Sequence, residues 1–360
     1  MKTDKPSERE RFRGCLLGGA VGDALGAAVE FMKLSEIRSR FGAGGIRDYA
    51  PAYGGLGRIT DDTQMTLFTA EGLLRGAVRH DTKGICHYPS VVANAYLRWL
   101  VTQGFRPAVE GEANEGEPGW LFGHPELHSR RAPGNTCLSA LRLMRRLGEP
   151  ADNNSKGCGG VMRVAPVGLF ASRSDTGHVF QLAVDSAALT HGHPTGSLSA
   201  GVLAVLVQGL VQEASLPEVL ETARHCLASA PSSDETLRAI DCAQDHASRG
   251  TPADQAIREL GEGWIAEEAL AVSIYCALVA TDFREAIVMA VNHDGDSDST
   301  GAITGNLLGA QLGVQAIPAE WLAPLELREV ITEMADDLLD CRQWSATDIE
   351  GRIWDKYPGF

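Results

Sequence analysis

Along most of the chain, apolar residues recur at intervals of three and four, the period of a half-buried α-helix. Stretches with this spacing fall at 9–29, 62–78, 88–102, 135–147, 177–190, 195–213, 216–228, 234–247, 252–260, 265–280, 282–292, 300–314 and 324–339. No run of alternating β-branched residues breaks the series, so the pattern predicts an all-α protein. Irregular stretches lie at 41–58, 103–134, 149–160 and 292–299. None is long and biased enough to form a clear interdomain linker, so one large multi-helix domain over 1–360 is expected, with residues 1–10 disordered. Residues 103–134 are the best alternative boundary, and equally a candidate active-site loop. The most apolar run, Leu198 to Val211, is broken by Gln208 and is too short to span a membrane, so it reads as a core helix.

Glycine adds a second pattern. It accounts for 40 of the 360 residues. Gly14, Gly18, Gly22 and Gly26 stand four apart in the first helical stretch, and Gly301, Gly305, Gly309 and Gly313 stand four apart near the end. Each series puts a bare stripe on one helix face. Glycine costs a helix interior roughly 0.5–1 kcal/mol relative to Ala, so four in a row predict a compensating close approach of another backbone.

Composition narrows the function classes. Lys and Arg number 32 against 47 Asp and Glu, a formal charge of −15. That balance argues against broad nucleic-acid binding, which needs a basic footprint. Met1 to Arg13 has no apolar core of a secretory signal, and no pair of the eight cysteines is spaced CxxC. A cytoplasmic, monomeric protein with reduced thiols and no membrane partner is expected.

The chemistry concentrates in two acidic clusters. The first is Thr60-Asp61-Asp62-Thr63, and the second runs His293-Asp294-Gly295-Asp296-Ser297-Asp298-Ser299-Thr300. Each opens a helical stretch, and Asp, Ser and Thr there serve as N-caps. A cap needs one residue. Three acids within five positions repel one another, and a hard cation with oxygen ligands relieves that repulsion. The first cluster by itself suits either role; the second favours metal. An EF-hand is excluded, because its sixth and twelfth loop positions fall on Ser299 and Gly305 instead of Gly and Glu. No HExxH or paired CxxC supports zinc.

With Gly22-Asp23-Ala24-Leu25-Gly26 and Glu30-Phe31, these clusters resemble the ADP-ribosylglycohydrolase family. The matching segments are GCLLGGAVGDALGAAVEF (14–31), ITDDTQMTL (59–67), PGNTCLSALR (133–142), SKGCGGVMRVAPVGL (155–169), THGHPTG (190–196), GWIAEEAL (263–270) and DGDSDSTGAITGNLLGA (294–310). The resemblance implies an all-α fold and a centre with two Mg²⁺ or Mn²⁺ ions. It implies metal ligands at Thr60, Asp61, Asp62, Asp296, Asp298 and Ser299, with Thr300 as the competing hydroxyl. It places Glu30 beside the metals as ligand or gate, and Asp61, Asp62 or Glu30 as the group that moves the proton.

The resemblance also sets Ser155, Gly157, Gly159, Gly160 and Met162 against ADP-ribose, where glycine N–H groups can cradle a pyrophosphate. His191 matches a family His near the ribose; a helix-end structural His is the alternative. Trp264 stacks on adenine or is simply a core Trp. Arg163 forms a salt bridge or supports the site, and His193 is a weak second candidate for metal. Asn94 and Arg98 occupy the neighbourhood where the family carries a general base, with no carboxylate among them. The implied activity is Mg-dependent cleavage of the glycosidic bond between ADP-ribose and an acceptor, a protein side chain first. A non-catalytic ADP-ribose-binding relative and a Mg-dependent nucleotide phosphohydrolase are the alternatives.

Overall fold

The structure, a computed structural model, describes residues 5–109 and 118–359. Its described residues form helices joined by loops and turns, with only two isolated β-bridges, as the apolar period predicts. The helices are α1 (Glu8–Gly26), α2 (Leu34–Phe41), α3 (Asp61–Lys83), α4 (Tyr88–Thr102), α5 (Asn135–Leu143), α6 (Ala165–Phe170), α7 (Thr176–Ala188) and α8 (Pro194–Val211). They continue with α9 (Leu216–Ala228), α10 (Asp234–Arg249), α11 (Ala253–Leu260), α12 (Ala266–Val279), α13 (Phe283–Val291), α14 (Ser297–Leu312), α15 (Ala319–Leu322) and α16 (Arg328–Asp340).

The departures from the expected elements have local causes. Residues 8–10 form the first turn of α1, which Ser7 and Glu10 start with a reciprocal capping box, and residues 5–7 precede it without regular structure. Residues 1–4 of the stretch expected to be disordered lie outside the described residues. α1 stops at Gly26 rather than 29, and 27–30 turn away. α5 stops at Leu143, since Met144 takes an extended ψ of 128°. α2 and α6 fall outside the stretches with a helical period. α2 buries only Ile37 and so has no apolar period, whereas α6 is buried on five of six residues and so has no polar face. α16 begins after Leu327, whose φ of 55° breaks the preceding segment.

The centre of the fold is the pairing of α1 with α14. Gly14 faces Gly309, Gly18 faces Gly305, and Gly22 faces Gly301, each with its bare Cα against the other's carbonyl. A Cβ on Gly301 would stand 2.5 Å from the Gly22 oxygen, closer than any real contact. Asn306 locks the pair by donating Nδ2–H to the Cys15 carbonyl at 2.8 Å. Gly26 closes the row against Asp298, where a Cβ would lie 2.5 Å from its backbone nitrogen. Gly313 does not belong to the row. It ends α14 at a φ of 76°.

α8 is long and apolar enough to cross a membrane, but 89 % of it is buried among its neighbours, so it is a core helix. α3 lies on the other flank of α1 and shares a face with α4 through Gly72, whose missing Cβ admits Val92. The N-termini of α3 and α14 therefore open on the same side of the molecule, with the turn after α1 between them.

Candidate active site

Thr60 caps α3 by accepting the Asp62 N–H at 3.2 Å. The start of α3 is also held from α1. The fully buried Asp23 carboxylate accepts the Thr60 N–H at 3.0 Å and the Thr63 N–H at 3.1 Å, and the Thr63 hydroxyl as well. Asp61 is tied to the 103–134 stretch. Its N–H donates to the Arg131 carbonyl at 3.2 Å, and its Oδ2 accepts the Gly134 N–H at 3.2 Å. That stretch thus contributes to the site, as expected of a long loop. Its residues 110–117 lie outside the described residues.

On the facing side, Asp296 stands at the N-cap of α14, and its own N–H donates to the Glu262 carbonyl at 2.8 Å. The Asp298 carboxylate accepts the Ser299 N–H at 3.1 Å. The Cys158 thiol donates to Asp296 Oδ2 at 2.7 Å. Glu30 arrives from the turn after α1, four residues beyond the last glycine of the row. One carboxylate oxygen each of Glu30, Asp296 and Asp298 lies within 4.8 Å of the others.

These groups line one wall of a cavity of about 540 Å³, together with Asp61, Asp62 and Ser299. The lining continues through Gly157, Cys158, Gly159, Met162 and His191, and the exposed Phe31 and Trp264 stand at the rim. Burial first, then mutual repulsion, pushes Glu30 up to about 11 and Asp23 to about 7. Asp61, Asp62 and Asp296 are driven well above the ordinary carboxylate range by the same causes, and burial raises Asp298. Glu30 Oε2 and Asp62 Oδ2 are buried and have no hydrogen-bond partner among the described residues. Unpaired buried carboxylate oxygens are costly, and an oxygen-rich set of this kind fits a hard divalent cation.

The structure brings Glu30, Thr60, Asp61, Asp62, Asp296, Asp298 and Ser299 together. It also separates the two candidate hydroxyls. Ser299 lines the cavity, whereas Thr300 turns its hydroxyl back to the Ala290 carbonyl and His293 Nε2, both at 2.8 Å. Gly157, Gly159, Met162, His191 and Trp264 line the cavity, but Ser155 and Gly160 do not. Ser155 pairs with the Thr136 hydroxyl at 3.1 Å, and Gly160 packs under the wall, where a Cβ would meet the Gly196 carbonyl at 3.1 Å. The N–H groups of Ser155, Gly157 and Cys158 donate to Asn153, Ser155 and Trp264 within the chain, which narrows the expected cradle to Gly159 on the cavity side.

Trp264 is 39 % exposed and stacks on Phe31 at 5.8 Å and 19°, so it is a rim residue and not a core one. His193 caps α8 by accepting the Thr195 N–H at 3.2 Å, away from the acids. Arg163 makes no salt bridge among the described residues. Asn94 faces a separate surface hollow, and Arg98 pairs with the buried Glu71 at 2.8 Å, so neither serves the cavity. Sequence reasoning missed Asp23 as the brace of α3 and Cys158 as the neighbour of Asp296. Asp23 did carry a signal, as an acid set inside a glycine row.

Two helix N-termini and a turn converge carboxylates on one cavity of an all-helical scaffold, an arrangement that could hold a cation. The chain belongs to the ADP-ribosylglycohydrolase family, whose model matches residues 4–347. An uncharacterized Archaeoglobus fulgidus protein is 32 % identical over 92 % of this chain and 96 % of its own length. The ADP-ribosyl-[dinitrogen reductase] glycohydrolase of Rhodospirillum rubrum is 28 % identical over 90 % of this chain and 92 % of its own. A solved chain titled ADP-ribosylglycohydrolase-related protein complex superposes with a TM-score of 0.64 at 28 % identity, covering 93 % of this chain and 99 % of the other.

Proposed function

We propose that the protein hydrolyses the glycosidic bond between ADP-ribose and a modified protein side chain, releasing ADP-ribose. Family membership supports hydrolysis of an ADP-ribose linkage, and the Rhodospirillum rubrum relative named for a modified protein favours a protein acceptor. The observation that carries the reading is the convergence of Glu30, Asp296 and Asp298 within 4.8 Å, in the same cavity as Asp61 and Asp62. Glu30, Asp296, Asp298 and Ser299 would hold one Mg²⁺ or Mn²⁺, and Thr60, Asp61 and Asp62 a second. Such ions, when bound, lower the pKa of water and orient the ribose diol.

The chain's own groups do the rest. Asp23 fixes Thr60 and Thr63, and through them the direction of the α3 carboxylates. Gly134 holds Asp61 in place through its N–H, which leaves Asp62 Oδ2 and Glu30 Oε2 free. Glu30 stands nearest the rim, next to the exposed Phe31, so its free oxygen is the one placed to move a proton to or from an acceptor group. The bond breaks through an oxocarbenium-like state, which a wall of carboxylates favours electrostatically.

Mass spectrometry of ADP-ribosylated proteins incubated with the enzyme, with Mg²⁺ and with EDTA, tests the reading. The expected result is free ADP-ribose and an unmodified side chain, with Mg²⁺ only. Release of phosphate instead would favour nucleotide phosphohydrolysis, and binding without turnover a non-catalytic role; either outcome overturns the proposal.

A further inference from the structure

Arg163 is fully buried, yet it has no carboxylate partner among the described residues. Its guanidinium sits over the Tyr96 ring at 4.3 Å. One arm reaches the Cys137 sulfur at 3.4 Å and the Met65 sulfur at 3.7 Å. The other donates to the Ser186 carbonyl at 3.2 Å and to the Thr190 hydroxyl at 2.7 Å. Its Nε has no hydrogen-bond partner among the described residues. A buried cation held only by neutral groups is costly, so it needs a purpose beyond packing.

Thr190 supplies the direction. Arginine can only donate, so the Thr190 oxygen accepts from Arg163 and its single proton must go elsewhere. Two acceptors are in reach. His191 Nδ1 stands at 2.8 Å and the Ala187 carbonyl at 3.4 Å. The shorter contact takes the proton, and His191 Nδ1 is then the acceptor. An imidazole that accepts at Nδ1 carries its hydrogen on Nε2. That nitrogen faces Gly157 and Gly159 on the cavity wall and has no partner among the described residues.

We infer that Arg163 is a positioning residue which, through the Thr190 hydroxyl, fixes His191 as the Nε2–H tautomer and so aims a hydrogen-bond donor at an acceptor oxygen of the bound nucleotide. Burial, and then the Arg163 charge, lowers His191 to about 3, which agrees with a ring that stays neutral in the working range. His191 is therefore a donor of constant charge and not a proton shuttle. The identity of the nucleotide rests on the proposed function; the tautomer does not.

The test is long-range ¹H–¹⁵N spectroscopy of the histidine rings in the full-length protein, with His191 assigned by His191→Gln, followed by titration with free ADP-ribose. The wild type should show His191 protonated at Nε2 and bare at Nδ1, without ligand. Thr190→Val keeps the shape and removes the relay. It should mix the tautomers and weaken ADP-ribose binding roughly tenfold, the scale of one hydrogen bond. Thr190→Ser should restore the Nε2–H spectrum and bring affinity within about twofold of wild type. Arg163→Gln should mix the tautomers as Thr190→Val does; where it does not fold, the Thr190 pair decides. A wild-type ring protonated at Nδ1, or a Thr190→Val spectrum identical to wild type, overturns the relay. Failure of the wild type to bind ADP-ribose would instead overturn the reading of the cavity, since the tautomer is read in the ligand-free protein.

Discussion

The two acidic helix starts that share the cavity are held in place by different physics. The start of α14 is positioned by backbone against backbone, with Gly301, Gly305 and Gly309 seated on Gly22, Gly18 and Gly14, and Gly26 pressed on Asp298. The start of α3 is positioned by directed hydrogen bonds from the Asp23 carboxylate. Both arms hang on α1, one on its glycine face and one on the adjacent residue. The difference teaches that a single helix can set the spacing of two acidic clusters if one contact is steric and the other polar. Steric contact fixes distance and tolerates no added atom. The polar contact fixes direction and tolerates a graded loss.

The largest expected effect lies on the steric arm. Gly305→Leu or Gly18→Leu drives a side chain into a facing carbonyl that belongs to the backbone and cannot rotate away. Overpacking typically costs about 1–3 kcal/mol, and a backbone clash belongs at or above the top of that range. Thermal unfolding and Mg²⁺ titration should fall together in both variants. A variant that melts like wild type and binds metal normally would mean that the row is compositional and that the α14 arm is held by something else.

Next come the carboxylates proposed to hold the ions. Asp296→Asn on one arm and Asp61→Asn on the other should each lower metal affinity and ADP-ribose release by at least roughly tenfold. Both should leave the fold intact, because each removes a repelled charge from a buried cluster. Isothermal titration with Mg²⁺ and a turnover assay check this. Full activity and metal content in either variant would remove that arm from the site.

The polar arm gives the next effect down. Asp23→Asn keeps one acceptor oxygen for the three donors of Thr60 and Thr63 and replaces the other with a donor. The expected cost is about 1–3 kcal/mol for groups left unsatisfied. The loss should be confined to α3, so hydrogen exchange should rise at Thr60–Thr63 and stay unchanged at Ser299–Gly301. Equal loosening of both starts would erase the distinction between the arms.

These contrasts also explain what was legible in the sequence. The glycine row was legible because close helix packing demands a residue without a side chain at a fixed period. The acids at 294–298 were legible because a cap cannot use so many carboxylates, whereas Asp61 and Asp62 by themselves suited a cap equally well. Asp23 was not, since a lone acid in a helix reads equally as surface, ligand or brace until its neighbours are known. The Arg163–Thr190–His191 chain was hidden for a related reason. Its first link spans 27 residues, and a buried arginine with no acid nearby has no pattern to announce it. Trp264 reads equally as an adenine-stacking or a core side chain until its exposed stacking on Phe31 is seen. Ser155 and Gly160 lie in the motif that marks the wall, yet a turn at Cys158–Gly160 shows the cavity only some of its residues.

The smallest effect, and the sharpest division within one arm, concerns the adjacent hydroxyls of α14. Ser299 faces the cavity, with its hydroxyl near the Cys158 sulfur at 3.6 Å and the Met162 sulfur at 3.9 Å, weak partners that a cation would displace. Thr300 spends its hydroxyl inside the protein on the Ala290 carbonyl and His293. Ser299→Ala should therefore lower metal affinity severalfold and leave the melting temperature of the metal-free protein near wild type. Thr300→Val should do the reverse. It leaves His293 Nε2 without its partner and should cost about 1–2 kcal/mol of stability, with metal affinity per folded molecule unchanged. Mg²⁺ titration and metal-free thermal unfolding of the two variants, measured side by side, decide which hydroxyl serves the ion. If Thr300→Val weakened metal binding and Ser299→Ala did not, the ligand set at the start of α14 would shift by one residue.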